Sequence, residues 1–311
     1  MINIQIHCSR PTYFQQGELR YMHNVILVTG GAGFVGSNLV KRLAENPENT
    51  IISVDNYFTG SWDSHVDLPN VTYFQKSTAE LQEWTFKIRP TLVYHLGEYS
   101  RVEQSFDDVD LVHEFNTNGT YNILKLALKW EAKVVYAGSS TKFADQTPGY
   151  VMSPYAFSKA QNTELVKKFG EWYGLDYAIS YFYNVYGPGE ISQGKYATLI
   201  AKFAEKKAKG ETLTITSPGT QERNFTHIDD IVDGLMLIGE QGHGDEYGIG
   251  HPDAYSIIDV AMLFDADFEM GPGARGNRMS APVITDKIRE LGWEPRHNLV
   301  EYITKREFTT T

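Results

Sequence analysis

The sequence predicts an α/β fold of the Rossmann type, in which a doubly wound parallel sheet carries a smaller C-terminal α/β part. Short apolar runs alternate with longer stretches of helical periodicity, which is the pattern of a parallel sheet covered by helices on both faces. A glycine-rich turn follows the first apolar run. Pro and Gly interrupt the pattern after residue 183, so we divide the chain into an unassigned extension (1–23), a sheet domain (24–183) and a less regular part (184–311) interleaved with it.

Five strands and three helices can be placed from these patterns. The predicted strands are 25–29, 51–54, 91–96, 133–137 and 177–181. The predicted helices are 37–45, 117–130 and 153–173. The third helix has a clear start, because Ser153 is a good N-cap and Pro154 suits the first helical position.

Composition and charge exclude several classes of protein. Asp and Glu (39) outnumber Lys and Arg (28), and the net charge of −11 argues against a nucleic-acid partner, which would require clustered cations. No apolar stretch approaches the roughly 18–20 residues of a membrane span. Cys8 is the single cysteine, so no intramolecular disulfide can form. The first 23 residues lack the features of a signal peptide, and we expect a cytoplasmic protein. The histidines show no ligand-like spacing, so we expect no metal site.

The glycine-rich turn at 29–36 leads from a predicted strand into a predicted helix. Gly30 permits the tight turn, Gly33 lets backbone N–H groups approach a pyrophosphate, and Gly36 lets the helix pack closely on the strand. Asp55 ends the second strand, where its carboxylate can accept hydrogen bonds from both adenosine ribose hydroxyls and would repel a 2′-phosphate. The strand, the glycine turn, the helix and the acidic residue together predict NAD, and not NADP, as the cofactor. The alternative is a structural turn with an aspartate that caps the next loop.

A tyrosine and a lysine lie four residues apart on one face of the third predicted helix. A phenol is a poor base near neutral pH, but the ammonium of Lys159, helped by a cationic nicotinamide ring, would favour the phenolate of Tyr155. The same ammonium can donate to a ribose hydroxyl. Hydroxyl groups at 139–141 follow a predicted strand, at the edge where open α/β sheets bind ligands, and one of them could relay a proton between a substrate and Tyr155. Chance spacing and a hydroxyl-rich capping loop are the alternatives.

These residues resemble the extended short-chain dehydrogenase/reductase family, in particular its NAD-dependent nucleotide-sugar epimerase/dehydratase branch, which includes the UDP-glucose 4-epimerases. The resemblance runs from about residue 25 to about residue 299. Further matching stretches are 94–97, 102–105, 116–120, 184–189, 223–230 and 291–293. The resemblance implies that 24–183 binds NAD and that 184–311 mainly binds a nucleotide-diphosphate sugar.

The resemblance also implies roles for single residues. Tyr155 would be the catalytic base, Lys159 its helper and ribose anchor, and Ser139 a hydroxyl relay that also contacts the substrate. The cofactor would be held by Gly30, Gly33, Phe34, Val35, Gly36, Asp55, Asn56, Leu96, Gly97, Tyr155 and Lys159.

The substrate diphosphate would be held by Asn184 and Arg223, with Arg275 as a second cation near the phosphates or the uridine ribose. Two guanidinium groups that face a diphosphate make physical sense, because charge-assisted bidentate hydrogen bonds are the strong ones. Relatives of this kind pair the helices near 117–130 and 153–173 into a dimer interface, so a homodimer is expected.

Several positions depart from the family pattern. Ser77 stands where members of the family usually carry an acidic residue, after the third strand of the family's sheet. The usual His-Leu-Ala-Ala is His95-Leu96-Gly97-Glu98, and Asn224 and Asn277 stand where aspartates are usual. The adenine end of the cofactor site and the geometry of the substrate loop are therefore the predictions most exposed to correction.

The reaction is inferred by elimination. A 4,6-dehydratase of the branch carries Asp-Glu directly after the catalytic hydroxyl, and decarboxylases carry Glu at the second of these positions. Here they are Ser140 and Thr141, which cannot do acid–base work near neutral pH. Epimerisation at C4 through a transient 4-keto sugar needs no further acid, so we expect a 4-epimerase of a UDP-hexose or, because Ala281 is small, a UDP-N-acetylhexosamine. A dehydratase, a decarboxylase, a 4-keto reductase and a non-catalytic nucleotide-binding protein are the alternatives.

Overall fold

The computed structural model describes residues 25–143, 152–276 and 278–305. The strands are β1 (Val25–Thr29), β2 (Thr50–Asp55), β3 (Val71–Gln75), β4 (Leu92–His95), β5 (Lys133–Ser139), β6 (Tyr177–Phe182), β7 (Val185–Tyr186), β8 (Leu213–Ser217), β9 (Glu222–Asn224), β10 (Thr226–His227), β11 (Gly244–Ile249), β12 (Ala254–Ser256) and β13 (Phe268–Gly273). The α-helices are α1 (Phe34–Ala44), α2 (Val109–Val112), α3 (Gly119–Trp130), α4 (Pro154–Tyr173), α5 (Leu199–Ala208), α6 (Ile228–Gln241), α7 (Ile257–Leu263), α8 (Asp286–Glu290) and α9 (Leu299–Thr304).

Seven strands form one parallel sheet in the order β11-β6-β5-β4-β1-β2-β3. The chain winds from β1 outward to β3 and then continues on the other side of β1 at β4. The order therefore reverses between β1 and β4, and a crevice opens at the carboxyl ends of these two strands. The predicted Rossmann-type α/β fold is confirmed.

All five predicted strands and all three predicted helices are present; the first strand has the predicted ends, and the other elements differ at one or both ends. The first helix begins at Phe34, three residues earlier than predicted, because Gly33 adopts the extended backbone of an N-cap directly after the turn. A π-helical turn (His113–Asn118) leads into α3, so the regular helix starts two residues later than predicted. Ser153 is the N-cap of α4 and accepts a hydrogen bond from Ala156 N at 3.0 Å, as predicted.

The chain after residue 183 contributes to the large sheet as well as to its own layer. β11 pairs in parallel with β6 at the sheet edge, and α6 packs against α1 on one face. Three two-stranded sheets, β7/β10, β9/β12 and β8/β13, form the remaining framework. The extension 1–23 lies outside the described residues.

The described residues form four apolar clusters. One on each face of the large sheet packs it against helices, a third lies under α5, α7 and α9, and a small fourth cluster contains Tyr99, Val112 and Tyr155. The second cluster contains Leu124, Trp130 and Phe169, so these apolar residues of α3 and α4 pack within the chain. Of the helices in the described ranges, none has the length and apolar character to cross a membrane.

Candidate active site

A cavity of about 620 Å³ lies over the carboxyl ends of the sheet strands. The glycine turn forms one end of it. Gly30 has a φ of +70°, and a Cβ added there would lie 2.8 Å from Gly97 Cα. A Cβ on Gly36 would lie 2.0 Å from the carbonyl oxygen of Gly30. Both glycines are therefore required by close backbone packing, and the turn leaves an open cradle at the start of α1 that fits a pyrophosphate.

Asp55 lies beside this turn at the end of β2. Its Oδ2 accepts a hydrogen bond from Ala32 N at 3.0 Å, and its Oδ1 accepts one from Tyr57 N at 2.7 Å. Burial raises the pKa of Asp55, and the hydrogen bonds from Tyr57 and Ala32 act in the opposite direction. The remaining predicted cofactor residues also line the cavity: Gly33, Phe34, Val35, Asn56, Leu96 and Gly97. The carboxylate, the glycine cradle and the apolar wall together fit a dinucleotide.

The predicted catalytic residues meet in the same cavity. The hydroxyl of Tyr155 donates a hydrogen bond to Ser139 Oγ at 3.2 Å. Ser139 Oγ also accepts from the hydroxyl of Thr141 at 2.9 Å and from its backbone N–H at 3.3 Å. β5 thus carries the hydroxyl and the first turn of α4 carries the phenol, so the distance is set by regular elements and not by a loop.

Lys159 follows one turn later and is buried, at 5% exposure. Its ammonium donates to the carbonyl oxygen of Ala137 at 2.6 Å and forms an ion pair with Glu98. Sequence reasoning had noted Glu98 only as a departure from a motif. Burial alone would raise the pKa of Glu98, but the ammonium of Lys159, the neighbouring His95 and the hydrogen-bond donors outweigh it and hold that pKa below its ordinary value.

The other end of the cavity carries cations. Arg223 donates from Nη1 to the carbonyl oxygen of Met279 at 3.2 Å and from Nη2 to that of Arg278 at 2.8 Å. The guanidinium of Arg275 lies 4.0 Å from the centre of the Phe106 ring. Asn184 also lines the cavity. The structure therefore places Asn184, Arg223 and Arg275, as well as Ser139, in the same cavity as Tyr155.

Two further arginines in the wall were missed by sequence reasoning. Arg278 donates to Ser140 Oγ at 3.1 Å, and Arg101 donates twice to the carbonyl oxygen of Tyr196, at 3.0 and 2.7 Å. Arg278 lies three residues after Arg275, which is the signal that could have found it. Arg101 follows β4 in an irregular segment, where spacing carries no information.

Two of the departures from the family pattern have physical explanations. Asn224 Nδ2 donates to three consecutive carbonyl oxygens, of residues 251–253, at 3.1 to 3.2 Å. An aspartate cannot donate there. Ser77 lines the cavity and caps a 3₁₀ turn by accepting a hydrogen bond from Ala79 N. Asn277 lies outside the described residues. Ala281 is not in the cavity wall as the described residues form it, so the structure does not support its expected role in making room for an N-acetyl group.

A candidate metal-ligand group lies away from this cavity. One ligand atom each of His227, Asp229 and His297 falls within 4.8 Å of the others, although no such group was expected from sequence. The two imidazole rings are stacked, with centroids 4.2 Å apart. Stacking places their nitrogen lone pairs in nearly parallel planes, which does not suit convergence on one ion.

Comparisons with known proteins agree with this geometry. The chain is 31% identical to UDP-glucuronic acid decarboxylase 6 of Arabidopsis thaliana, over 94% of this chain and 89% of the relative. The structure is similar to a UDP-glucose 4-epimerase of Thermotoga maritima solved with UDP-glucose (27% identity, 90% of this chain and 96% of that chain, TM-score 0.83). It is also similar to the UDP-glucose 4-epimerase of Thermus thermophilus solved with NAD (26% identity, the same coverage, TM-score 0.82). The profile of the NAD dependent epimerase/dehydratase family matches residues 26–250. The chain belongs to the NAD-dependent epimerase/dehydratase family, and its cofactor is NAD.

Proposed function

We propose that the protein is a nucleotide-sugar 4-epimerase that acts on a UDP-hexose. The observation that carries the proposal is the meeting of Ser139, Tyr155 and Lys159 in one cavity, with hydroxyl side chains at the two positions after Ser139. Ser140 Oγ accepts a hydrogen bond from Arg278, and the hydroxyl of Thr141 donates to Ser139 Oγ. Neither can supply the acid–base chemistry that elimination of water requires.

The residues divide the work of the first half-reaction. We assign Asp55 and the glycine turn to the adenosine ribose and the pyrophosphate of NAD, whose nicotinamide ring would supply the hydride acceptor for C4 of the sugar. Tyr155 takes the proton of the C4 hydroxyl, and Ser139 holds that oxygen in place. Arg223 and Arg275 bind the diphosphate, so the nucleotide stays anchored while the 4-keto sugar turns over.

The second half-reaction reverses the first on the opposite face of the ring. The cofactor would return the hydride to C4 on that face, and Tyr155 gives its proton back to the carbonyl oxygen. Protons and electrons balance within one cycle, so the reaction needs no co-substrate. Such a reaction needs one base and a set of cations that anchor the substrate, and the described side chains of the site provide both.

Nucleotide-uronate decarboxylation is the second candidate, and the 31% identity with the plant decarboxylase favours it. Oxidation at C4 of a uronate also gives a ketone, from which carbon dioxide leaves. The carbanion equivalent at C5 must then be protonated, and the hydroxyl of Thr141 is a weaker proton donor than the carboxyl group that decarboxylases of the branch carry at this position.

One experiment separates the candidates. The protein is incubated with UDP-glucose, UDP-galactose, their N-acetylamino forms and UDP-glucuronate, and the products are followed by proton NMR. We expect two C4 epimers to converge on one mixture from either side, without net formation of NADH. Release of carbon dioxide with a pentose product would establish decarboxylation instead, and a 4-keto-6-deoxy product would establish dehydration.

A further inference from the structure

A fully buried carboxylate lies in contact with the lysine of the catalytic pair. The side chain of Glu98 is 1% exposed, and its two oxygens accept hydrogen bonds from four side chains. Lys159 donates to Oε2. Thr120 donates to Oε1 at 2.6 Å, Asn162 at 2.7 Å and Tyr136 at 3.3 Å. A buried carboxylate is stable only when it is paired and its lone pairs are satisfied, and Glu98 meets both conditions.

The hydrogen bonds that lead to Glu98 all donate in the same direction along the chain of residues. Thr120 has a single hydroxyl proton, which it donates to Glu98, so its oxygen accepts from His95 Nε2 at 2.9 Å. His95 Nδ1 then accepts from the hydroxyl of Thr29 at 2.8 Å. Thr29 Oγ1 in turn accepts from the backbone N–H groups of residues 96 and 97, at 3.1 and 3.0 Å. An ionised Glu98 therefore orders a buried polar chain from β1 to α4.

The donors of Lys159 are largely used by these contacts. A lysine ammonium has three N–H groups. One is directed to Glu98 and one to the carbonyl oxygen of Ala137 at 2.6 Å. One N–H remains for the cofactor ribose. Glu98 and Ala137 thus fix where the ammonium lies, and the carboxylate opposes the positive field that the ammonium exerts on Tyr155.

We propose that Glu98 is a positioning residue that holds Lys159 at the end of β5 and offsets part of its charge, so that Tyr155 can both take and return a proton within one cycle. This inference rests on the proposed function, because epimerisation requires the phenol to act as base and then as acid. A group does both best when it ionises near the working pH. A lysine without its counter-ion would favour the phenolate more strongly and leave a poorer acid for the second half-reaction.

Several charged and titratable side chains face Glu98 and Tyr155. Lys159 on α4, His95 on β4 and Tyr136 on β5 face Glu98. Arg101 and Tyr136 interact with Tyr155. Burial lowers the pKa of His95 to about 4, so His95 is uncharged near neutral pH. Glu98 and Lys159 therefore form the charged pair next to Tyr155, and Glu98→Gln removes the negative charge of this pair with little change in the shape of the side chain.

The test is a tyrosinate titration of the NAD-loaded protein in the near ultraviolet, in the wild type and in Glu98→Gln. The same titration with Tyr155→Phe in each background isolates the signal of Tyr155 by difference. We expect the Tyr155 midpoint to fall by about one pH unit in Glu98→Gln, because the field of Lys159 is no longer opposed. Asp245→Asn is the matched control, since it removes a carboxylate from the Lys142–Asp245 ion pair (3.0 Å) and should leave the midpoint unchanged.

Each outcome decides the proposal. A Glu98→Gln protein that loses thermal stability while the Tyr155 midpoint stays in place or rises would show a merely structural role and overturn it. If Glu98→Gln does not fold, Glu98→Asp withdraws the carboxylate by one methylene and should lower the midpoint by a smaller amount; an unchanged midpoint there overturns the proposal as well. The titration needs no substrate, so it decides the role of Glu98 even if no nucleotide sugar is epimerised.

Discussion

The hydroxyl of Tyr155 lies 3.2 Å from that of Ser139, although the two residues are 16 positions apart and belong to a helix and a strand. We expect Tyr155→Phe to lower turnover by about 10²–10⁴-fold, the contribution of a positioned general base, while NAD stays bound. Activity is followed by NMR and cofactor binding by calorimetry. Tyr186→Phe is the control, because the buried hydroxyl of Tyr186 has no hydrogen-bond partner within the described part of the chain. Equal activity in Tyr155→Phe and the wild type would remove the assignment of the base.

Replacing Asp55 should change the choice of cofactor. We expect Asp55→Asn to weaken NAD binding by about 10–100-fold, the effect of losing hydrogen bonds to a charged acceptor, and to narrow the difference between NAD and NADP. The ratio of the two dissociation constants, measured by fluorescence titration, is the relevant quantity. An unchanged ratio would place the adenosine ribose elsewhere.

His95 should make the protein less stable in mild acid. Burial lowers its pKa from 6.5 to about 4. Between these two pH values the unfolded chain binds a proton at His95 that the native protein does not bind. The contribution of His95 to the free energy of unfolding is therefore fully present above about pH 6.5 and declines as the pH falls. The loss is about 1.4 kcal/mol per pH unit and about 3 kcal/mol in total. Urea denaturation of the wild type and of His95→Gln, which keeps one donor and one acceptor, should show a shallower pH dependence in the variant. Parallel curves would contradict the prediction.

The cations at the far end of the cavity should act on the substrate and not on the cofactor. We expect Arg275→Ala to raise KM for the nucleotide sugar by about tenfold or more, since a charge-assisted hydrogen bond contributes about 1.5–3 kcal/mol. NAD affinity should not change. Arg289→Ala is a suitable control, because Arg289 forms a surface ion pair with Glu294 at 3.4 Å. Equal effects of the two substitutions on KM would argue against a phosphate-binding role.

The expected homodimer stays a prediction. Leu124, Trp130 and Phe169 are buried within the chain, whereas Phe157 and Trp172 on α4 are 55% and 61% exposed. Light scattering at micromolar concentration should give twice the chain mass, and Trp172→Glu should shift the mass toward the monomer. A monomeric wild type would end this interpretation.

The cofactor end of the site was predictable because its signals are local. The turn at 29–36 and the acid at 55 each lie next to a strand that an apolar run reveals, and Tyr155 and Lys159 share one helix face. The contact between Glu98 and Lys159 joins residues 61 positions apart, and no local pattern encodes it. The edge strand β11 was missed for a related reason, because its sequence Gly-Asp-Glu-Tyr-Gly-Ile lacks the apolar run of a buried strand.

The buried polar chain from Thr29 to Lys159 has a consequence for engineering. The hydrogen bonds of this chain all run in one fixed direction, so replacing one member leaves its neighbours with mismatched donors or acceptors. A mutant library screened for a new sugar preference should therefore return few survivors changed at these positions. Diversity should be concentrated instead at positions of the cavity wall that lie outside this chain and have no assigned role, such as Thr216 and Ala274.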